Sequence, residues 1–275
     1  MAEYSLGESI HPEIVDSLNH PQAQLVRELL EPQGRQQQGL FLIDDDENIQ
    51  AALKGGIKIR SVFSTDWEGL SESLKAIPCS HYQLAWRTAK KIFEVEKAVR
   101  TFALAILPPP LSLIELLSRS GDVVVLDQLA LAGNAGAIIR TSLALEAAGL
   151  VLLGNHDLTD RRLIRASRGY VFLLPIVVAE PHQLLRMFDS TSKVLSVATA
   201  KGEWEVESWS TLPGDRLILL GSEKHGPSDE LLARAQERVR IPMSPHVESL
   251  NVSVAAGVLL FARLLGRRGL AKMEP

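Results

Sequence analysis

Four groups of residues in this 275-residue chain have types and spacing that could do chemistry. The first is Gly133-Asn134-Ala135-Gly136-Ala137-Ile138-Ile139-Arg140-Thr141. It opens a helical pattern, where glycines let another group approach the backbone and the helix terminus favours an anion. The dinucleotide fingerprint needs G-x-G-x-x-G, and only Gly133-x-x-Gly136 is present. A helix-packing glycine pair beside a surface arginine would account for the same residues. The second group, Gly221-Ser222-Glu223-Lys224-His225-Gly226-Pro227-Ser228, directly follows an apolar run. Ligands of open α/β sheets bind outside the carboxyl ends of strands. Ser228 as a helix cap, with Asp229 and Glu230 complementing the dipole, explains the end of this group but not residues 221–224. The third is Ile241-Pro242-Met243 followed by Glu248-Ser249-Leu250-Asn251-Val252-Ser253. One polar residue suffices to cap a helix, and Glu248, Ser249, Asn251 and Ser253 exceed that need. The fourth is Arg161, Arg162, Arg165 and Arg168. On a helix, positions 161, 165 and 168 fall within about 60° of one another. Guanidinium forks match phosphate bidentately, although a solvated charged face is the blander explanation. A looser basic set, Arg87, Lys90, Lys91, Lys97 and Arg100, is diluted by Glu94 and Glu96.

The elements that must position these groups alternate along the chain. Pro108-Pro109-Pro110 cannot lie inside a helix or a central strand, so the spacing predicts a boundary there. We read residues 1–107 as one domain, 108–112 as a proline-rich linker and 113–275 as a second domain. In the first, helices are expected over 22–30, 46–53 and 85–93, and strands over 40–43, 59–63, 80–84 and 101–107, which makes a small α/β domain. In the second, strands are expected over 122–126, 150–153, 171–178, 194–198, 217–220 and 239–241. Helices are expected over 111–117, 135–148, 160–168, 181–188, 227–235 and 250–265. Continuous apolar strands alternating with helices imply a parallel sheet covered on both faces.

Composition narrows the function classes. The chain is 46% hydrophobic and 23% charged, as in ordinary globular domains. With Cys79 as the one cysteine, an intramolecular disulfide and a Cys-rich zinc site are both excluded. The first residues lack the pattern of a signal peptide, and no apolar run approaches the ~18 residues of a membrane span, so a cytoplasmic protein is expected. Net charge is −4; residues 1–108 hold 11 Lys+Arg against 15 Asp+Glu, and residues 109–275 hold 18 of each. Any nucleic-acid contact must therefore come from local basic patches.

The order of the motifs is more specific than any one of them. Asn-x-Gly-x-x-x-Arg-Thr at 134–141, Gly-Ser-Glu at 221–223 and Ile-Pro-Met…Glu-Ser-Leu-Asn-Val-Ser-Val-Ala at 241–255 resemble the three motifs of the SpoU branch of the SPOUT methyltransferases. These are S-adenosylmethionine-dependent RNA ribose 2′-O-methyltransferases. Arg165-Ala-Ser-Arg-Gly-Tyr-Val-Phe172 and residues 221–228 look most like the thiostrepton and nosiheptide resistance methyltransferases, which modify an adenosine of 23S ribosomal RNA. The resemblance covers about 113–275 and is weaker over 1–107, where that family has an RNA-binding domain of ribosomal-protein type. It implies a trefoil knot in the parallel-sheet domain and a homodimer; in-line methyl transfer from a sulfonium requires no metal, and the short apolar runs predict no membrane partner. It implies Arg140, Asn134, Glu223, Ser249 and Asn251 as catalytic residues. It places the methyl donor on Thr199, Gly221, Ser222, Glu223, Ile241, Met243, Ser249 and Leu250. Arg162, Arg165, Arg168, Arg87, Lys90 and Lys91 are the expected RNA contacts. A tRNA or another rRNA ribose as substrate, and an RNA-binding protein without catalysis, are the competing expectations.

Overall fold

A computed structural model describes residues 11–94, 99–129, 132–222 and 225–271, without the side chains of residues 270 and 271. Contacts divide the chain into two units: Met1–Pro108 with Thr159–Arg161, and Pro109–Leu158 with Arg162–Pro275.

In the first unit, β1 (Glu13–Val15), β2 (Leu40–Asp44), β3 (Ile59–Ser64), β4 (Ser80–Leu84) and β5 (Thr101–Ile106) form a sheet ordered β1-β4-β3-β5-β2. Strands β1, β4 and β3 run parallel, and β5 is antiparallel to β3 and β2. Helices α1 (Pro21–Glu28), α2 (Pro32–Gln38), α3 (Asp46–Lys54), α4 (Glu72–Lys75) and α5 (Trp86–Phe93) connect them. Both α1 and α2 start on proline, whose missing N–H is harmless in a first turn. Stacked rings centre one core: Phe63 lies 4.8 Å from Tyr82 and 4.8 Å from Phe102.

In the second unit, β6 (Val123–Leu126), β7 (Gly149–Leu153), β8 (Ile176–Ala179), β9 (Val194–Ala198), β10 (Trp204–Glu205), β11 (Arg216–Leu220) and β12 (Glu237–Arg240) form an all-parallel sheet. Its order is β10-β12-β9-β11-β6-β7-β8. Every residue of β6, β7 and β11 is buried, as expected for strands covered on both faces. The helices are α6 (Leu113–Leu117), α7 (Ala132–Ala144), α8 (Arg161–Ala166), α9 (Pro181–Phe188), α10 (Val206–Ser210), α11 (Asp229–Arg234) and α12 (Val252–Ala271).

Three expectations are corrected. Residues 171–178 do not form one strand: a 3₁₀ turn at Tyr170–Phe172 precedes β8, and Pro175 stands between them. Helix α7 stops at Ala144, and Glu146 turns out of it with φ 62°. Helix α8 ends at Ala166, and Arg168 (φ 53°) and Gly169 (φ 74°) turn the chain in the left-handed region. Arg168 therefore does not continue a helical stripe.

A polar lock fixes α12 at the amino ends of the strands. The fully buried Asp122, just before β6, takes two hydrogen bonds from the buried Arg263 guanidinium, at 2.9 and 3.2 Å. The same guanidinium donates to the carbonyls of Ser210, Leu212 and Gly214. At Gly266 a Cβ would lie 2.1 Å from the Ser210 carbonyl oxygen, so only glycine lets α12 come this close. Asn251, at the other end of the helix, is about 18 Å along the axis from Arg263 at 1.5 Å per residue.

Candidate active site

The carboxyl ends of four neighbouring strands, β12, β9, β11 and β6, bring the expected donor-site residues together. Thr199 follows β9 directly, Gly221 and Ser222 follow β11, and Ile241 and Met243 follow β12. The ladders align these ends, with Leu220 beside Leu126, Leu219 beside Val197 and Val239 beside Ala198. The Thr199 N–H donates to the Val239 carbonyl at 2.9 Å, which ties the β9 exit to β12. Thr199, Gly221, Ser222, Ile241, Met243 and Leu250 are all half-buried, whereas Pro242 and residues 244–249 are exposed.

The loop after β11 folds on itself. Ser222 bridges Gly226, and the Gly226 N–H reaches the Ser222 carbonyl at 2.9 Å. A Cβ on Gly221 would lie 2.0 Å from the Gly226 carbonyl carbon and 2.0 Å from the Pro227 nitrogen. The group that approaches Gly221 is thus the chain's own backbone. Asp127, which the motifs did not single out, secures the other side. It is buried at the end of β6, its N–H donates to the Leu220 carbonyl at 2.9 Å, and its carboxylate accepts the Ser228 N–H at 2.7 Å. The only sequence signal for Asp127 is an acidic residue closing an apolar strand. Ser228 precedes α11 without a side-chain cap bond, and its hydroxyl is buried with no partner among the described residues. Glu223 and Lys224 lie outside the described residues, as does Lys97.

The first and third motifs meet through two amides. The Asn251 Nδ2 donates to Asn134 Oδ1 at 3.3 Å, while Asn251 Oδ1 accepts from the Ser253 N–H at 2.9 Å and its hydroxyl at 2.6 Å. Asn251 therefore caps α12 and reaches the first turn of α7 together. Ser249 is exposed two residues earlier. Arg140 is exposed two turns into α7 and, among the described residues, has no hydrogen-bond or ion-pair partner. Gly133 has open space around it, but a Cβ on Gly136 would fall 2.5 Å from Ala166 Cβ and 2.7 Å from the Ser167 nitrogen. That close packing seats the turn carrying Arg168 against the start of α7. Arg162, Arg165 and Arg168 are exposed, each with interactions of its own. Arg161 groups with the first unit, where its guanidinium pairs with the buried Asp44 at 2.8 Å. In that unit, Arg87, Lys90 and Lys91 are exposed on α5. Among the described residues no cluster of three or more His, Cys, Asp or Glu could hold a metal ion, and no helix is long and apolar enough to cross a membrane.

A parallel α/β sheet with glycine-rich and amide-bearing loops converging at its strand ends has the architecture of α/β enzymes, a class that binds its ligands at the carboxyl edge of the sheet. The chain belongs to the SpoU rRNA methylase family, whose model matches residues 122–261. The model of the thiostrepton-resistance methylase N terminus matches residues 12–119. The chain is 40% identical over 238 residues to a 23S rRNA (adenosine(1067)-2′-O)-methyltransferase of Streptomyces laurentii, covering 84% of this chain and 87% of that one. It is 36% identical to the enzyme of the same description from Streptomyces azureus, covering 81% and 85%. Among solved structures, it resembles the SpoU methyltransferase AviRb from Streptomyces viridochromogenes in complex with AdoMet, at a TM-score of 0.78 and 25% identity, covering 91% and 99%.

Proposed function

We propose that this chain methylates the ribose 2′-oxygen of an adenosine in 23S ribosomal RNA with S-adenosylmethionine as methyl donor, and that thiopeptide resistance is its biological role. The observation that carries this reading is the meeting of the three motifs at one edge of the parallel sheet, in a chain of the SpoU rRNA methylase family.

The strand-end residues fit the donor. Half-buried Ile241, Met243 and Leu250 offer apolar surface to an adenine ring, and Thr199, Ser222 and the Ser228 hydroxyl, which has no partner among the described residues, offer polar atoms for the rest. When bound, S-adenosylmethionine supplies a methyl group on a positive sulfonium. A ribose hydroxyl is a poor nucleophile, so the protein must align it, assist loss of its proton and keep water away. Asn134 and Asn251, already joined, orient the ribose with Ser249. The cationic guanidinium fork of Arg140 suits it to clamp the neighbouring phosphate and stabilise the developing alkoxide rather than act as a base. Glu223, next to Ser222 in the sequence, is assigned to the same set. Arg162, Arg165 and Arg168 flank it as phosphate contacts, and the first unit binds RNA through Arg87, Lys90 and Lys91.

Two architectural properties belong to the same reading. The closing segment from β12 to α12 forms a trefoil knot, supported by the crossing of β12 past β9 and by the return of α12 onto α7 and α10. The chain is a homodimer, supported by Val254, Val258, Phe261 and Leu265, which lie within a narrow stripe of α12 and remain 36–52% exposed. An enzyme of ribosomal RNA would work in the cytoplasm.

The test is transfer of labelled methyl from S-adenosylmethionine to 23S rRNA taken from cells lacking the gene. The expected result is one 2′-O-methylated adenosine; label on a base, or on tRNA alone, would refute the reading.

A further inference from the structure

We infer that Trp86 is a stacking platform for an unpaired base of the RNA substrate, flanked by a cationic face that receives the strand's phosphates. The inference rests on the RNA-methylation reading and adds a residue that no motif supplied.

Helix α5 buries Thr88, Ala89, Ile92 and Phe93, and Thr88 anchors it by donating to the Asp16 carbonyl at 2.7 Å. Its outer face is Trp86, Arg87, Lys90 and Lys91. An indole on a solvated helix face leaves apolar surface in water, and its helix propensity is modest. Yet Trp86 is 42% exposed, and among the described residues of this unit it is the one exposed Phe, Tyr or Trp. The Lys90 ammonium lies over the indole, 5.6 Å from the ring centroid, so ring and cation already share one patch.

Charge complementarity identifies the occupant. Residues 1–108 carry a net −4, yet three of their 11 Lys+Arg sit on this single face. Among the described residues none of Arg87, Lys90 and Lys91 has an ion-pair partner, and α5 itself carries no acid before its C-cap Glu94. A basic surface with an aromatic ring set into it matches a single strand, whose phosphates and exposed base faces recur together. A duplex keeps its bases stacked and offers only the phosphates.

The experiment compares Trp86→Ala, Trp86→Leu and Trp86→Phe with the wild type. It measures affinity for a 23S rRNA fragment that the wild-type enzyme methylates and for a blunt RNA duplex of equal length. Losing one base–ring stack should weaken binding to the fragment by about five- to a hundred-fold in the Ala and Leu variants. Leucine keeps the apolar bulk without the ring, so its failure would separate stacking from burial. Phenylalanine should stay within about three-fold of wild type, and duplex affinity should not move. The salt dependence should persist in Trp86→Ala and flatten when Arg87, Lys90 and Lys91 are all replaced by Ala. Fragment affinity unchanged in both the Ala and Leu variants would overturn the inference, as would an equal loss on the duplex. A wild-type enzyme that methylates no RNA would instead remove the reading beneath it.

Discussion

In the proposed mechanism, Arg140 is the residue on which the chemistry turns. It stands exposed on a helix whose first turn is joined to the start of α12, and among the described residues no carboxylate pairs with it. A charge left in this way is available to a phosphate or an alkoxide. Arg140→Ala should lower the single-turnover methylation rate by on the order of 10²–10³, or ~3–4 kcal/mol. Arg140→Lys keeps the charge without the planar fork and should retain part of the rate. S-adenosylmethionine affinity, read by calorimetry, should survive both. A wild-type rate for Arg140→Ala would leave the arginine as an ordinary helix-surface residue. The types and spacing of Asn134, Arg140, Ser249 and Asn251 were legible in the sequence because motif order is local information. The partners were not. Gly136 and Gly221 announced a close approach, but the approaching groups are Ala166–Ser167 and Gly226–Pro227, which only the folded chain supplies. Asp127 escaped notice because its acceptor role depends on Ser228, 101 residues away.

The apolar runs made strands β6, β7, β9 and β11 and the long closing helix legible, since buried parallel strands read as continuous hydrophobic segments. The stripe of arginines was extrapolated beyond its helix; Gly169 was the available signal that α8 stops. β1 and β10, at three and two residues, are too short to carry a period. How the strands are tied together is equally non-local. Glu237 in β12 accepts from the Ser196 hydroxyl at 2.5 Å and the Trp209 indole N–H at 2.8 Å, and pairs with Arg216 at 3.1 Å. Burial raises its carboxyl, but the Ser196, Arg216 and Trp209 donors outweigh burial and hold it below the usual range. Asp215 follows the same pattern, with burial opposed by the Gly121 N–H and the Lys193 ammonium. A carboxylate depressed in the folded state contributes stability above its unfolded pKa of about 4 and loses it as pH falls through the folded value. The unfolding midpoint should therefore be flat near neutrality and decline below about pH 4. Glu237→Gln should lower the neutral plateau and shallow that decline. An acid limb identical in wild type and Glu237→Gln, by circular dichroism, would show that these carboxylates do not govern it.

At the scale of the whole molecule, α12 does three things along one axis. Asn251 joins it to Asn134 on α7, Arg263 locks the helix to the strand origins, and the outer stripe from Val254 to Leu265 is left exposed. Steps of 4, 3 and 4 residues keep that stripe on one face, and a self-complementary apolar face suits a two-fold pair. Light scattering should give about twice the 30.1 kDa chain mass. Phe261→Glu should shift it toward the monomer, and a wild-type monomer at every concentration would exclude the dimer. The central claim, however, concerns one oxygen atom. It is tested most directly by offering the enzyme two synthetic 23S rRNA fragments that differ only in the 2′-hydroxyl of the target adenosine. With labelled S-adenosylmethionine, the ribonucleotide fragment should take up one methyl group and the 2′-deoxy fragment none, although both bind. Equal labelling of the two would place the methyl group elsewhere and contradict the account.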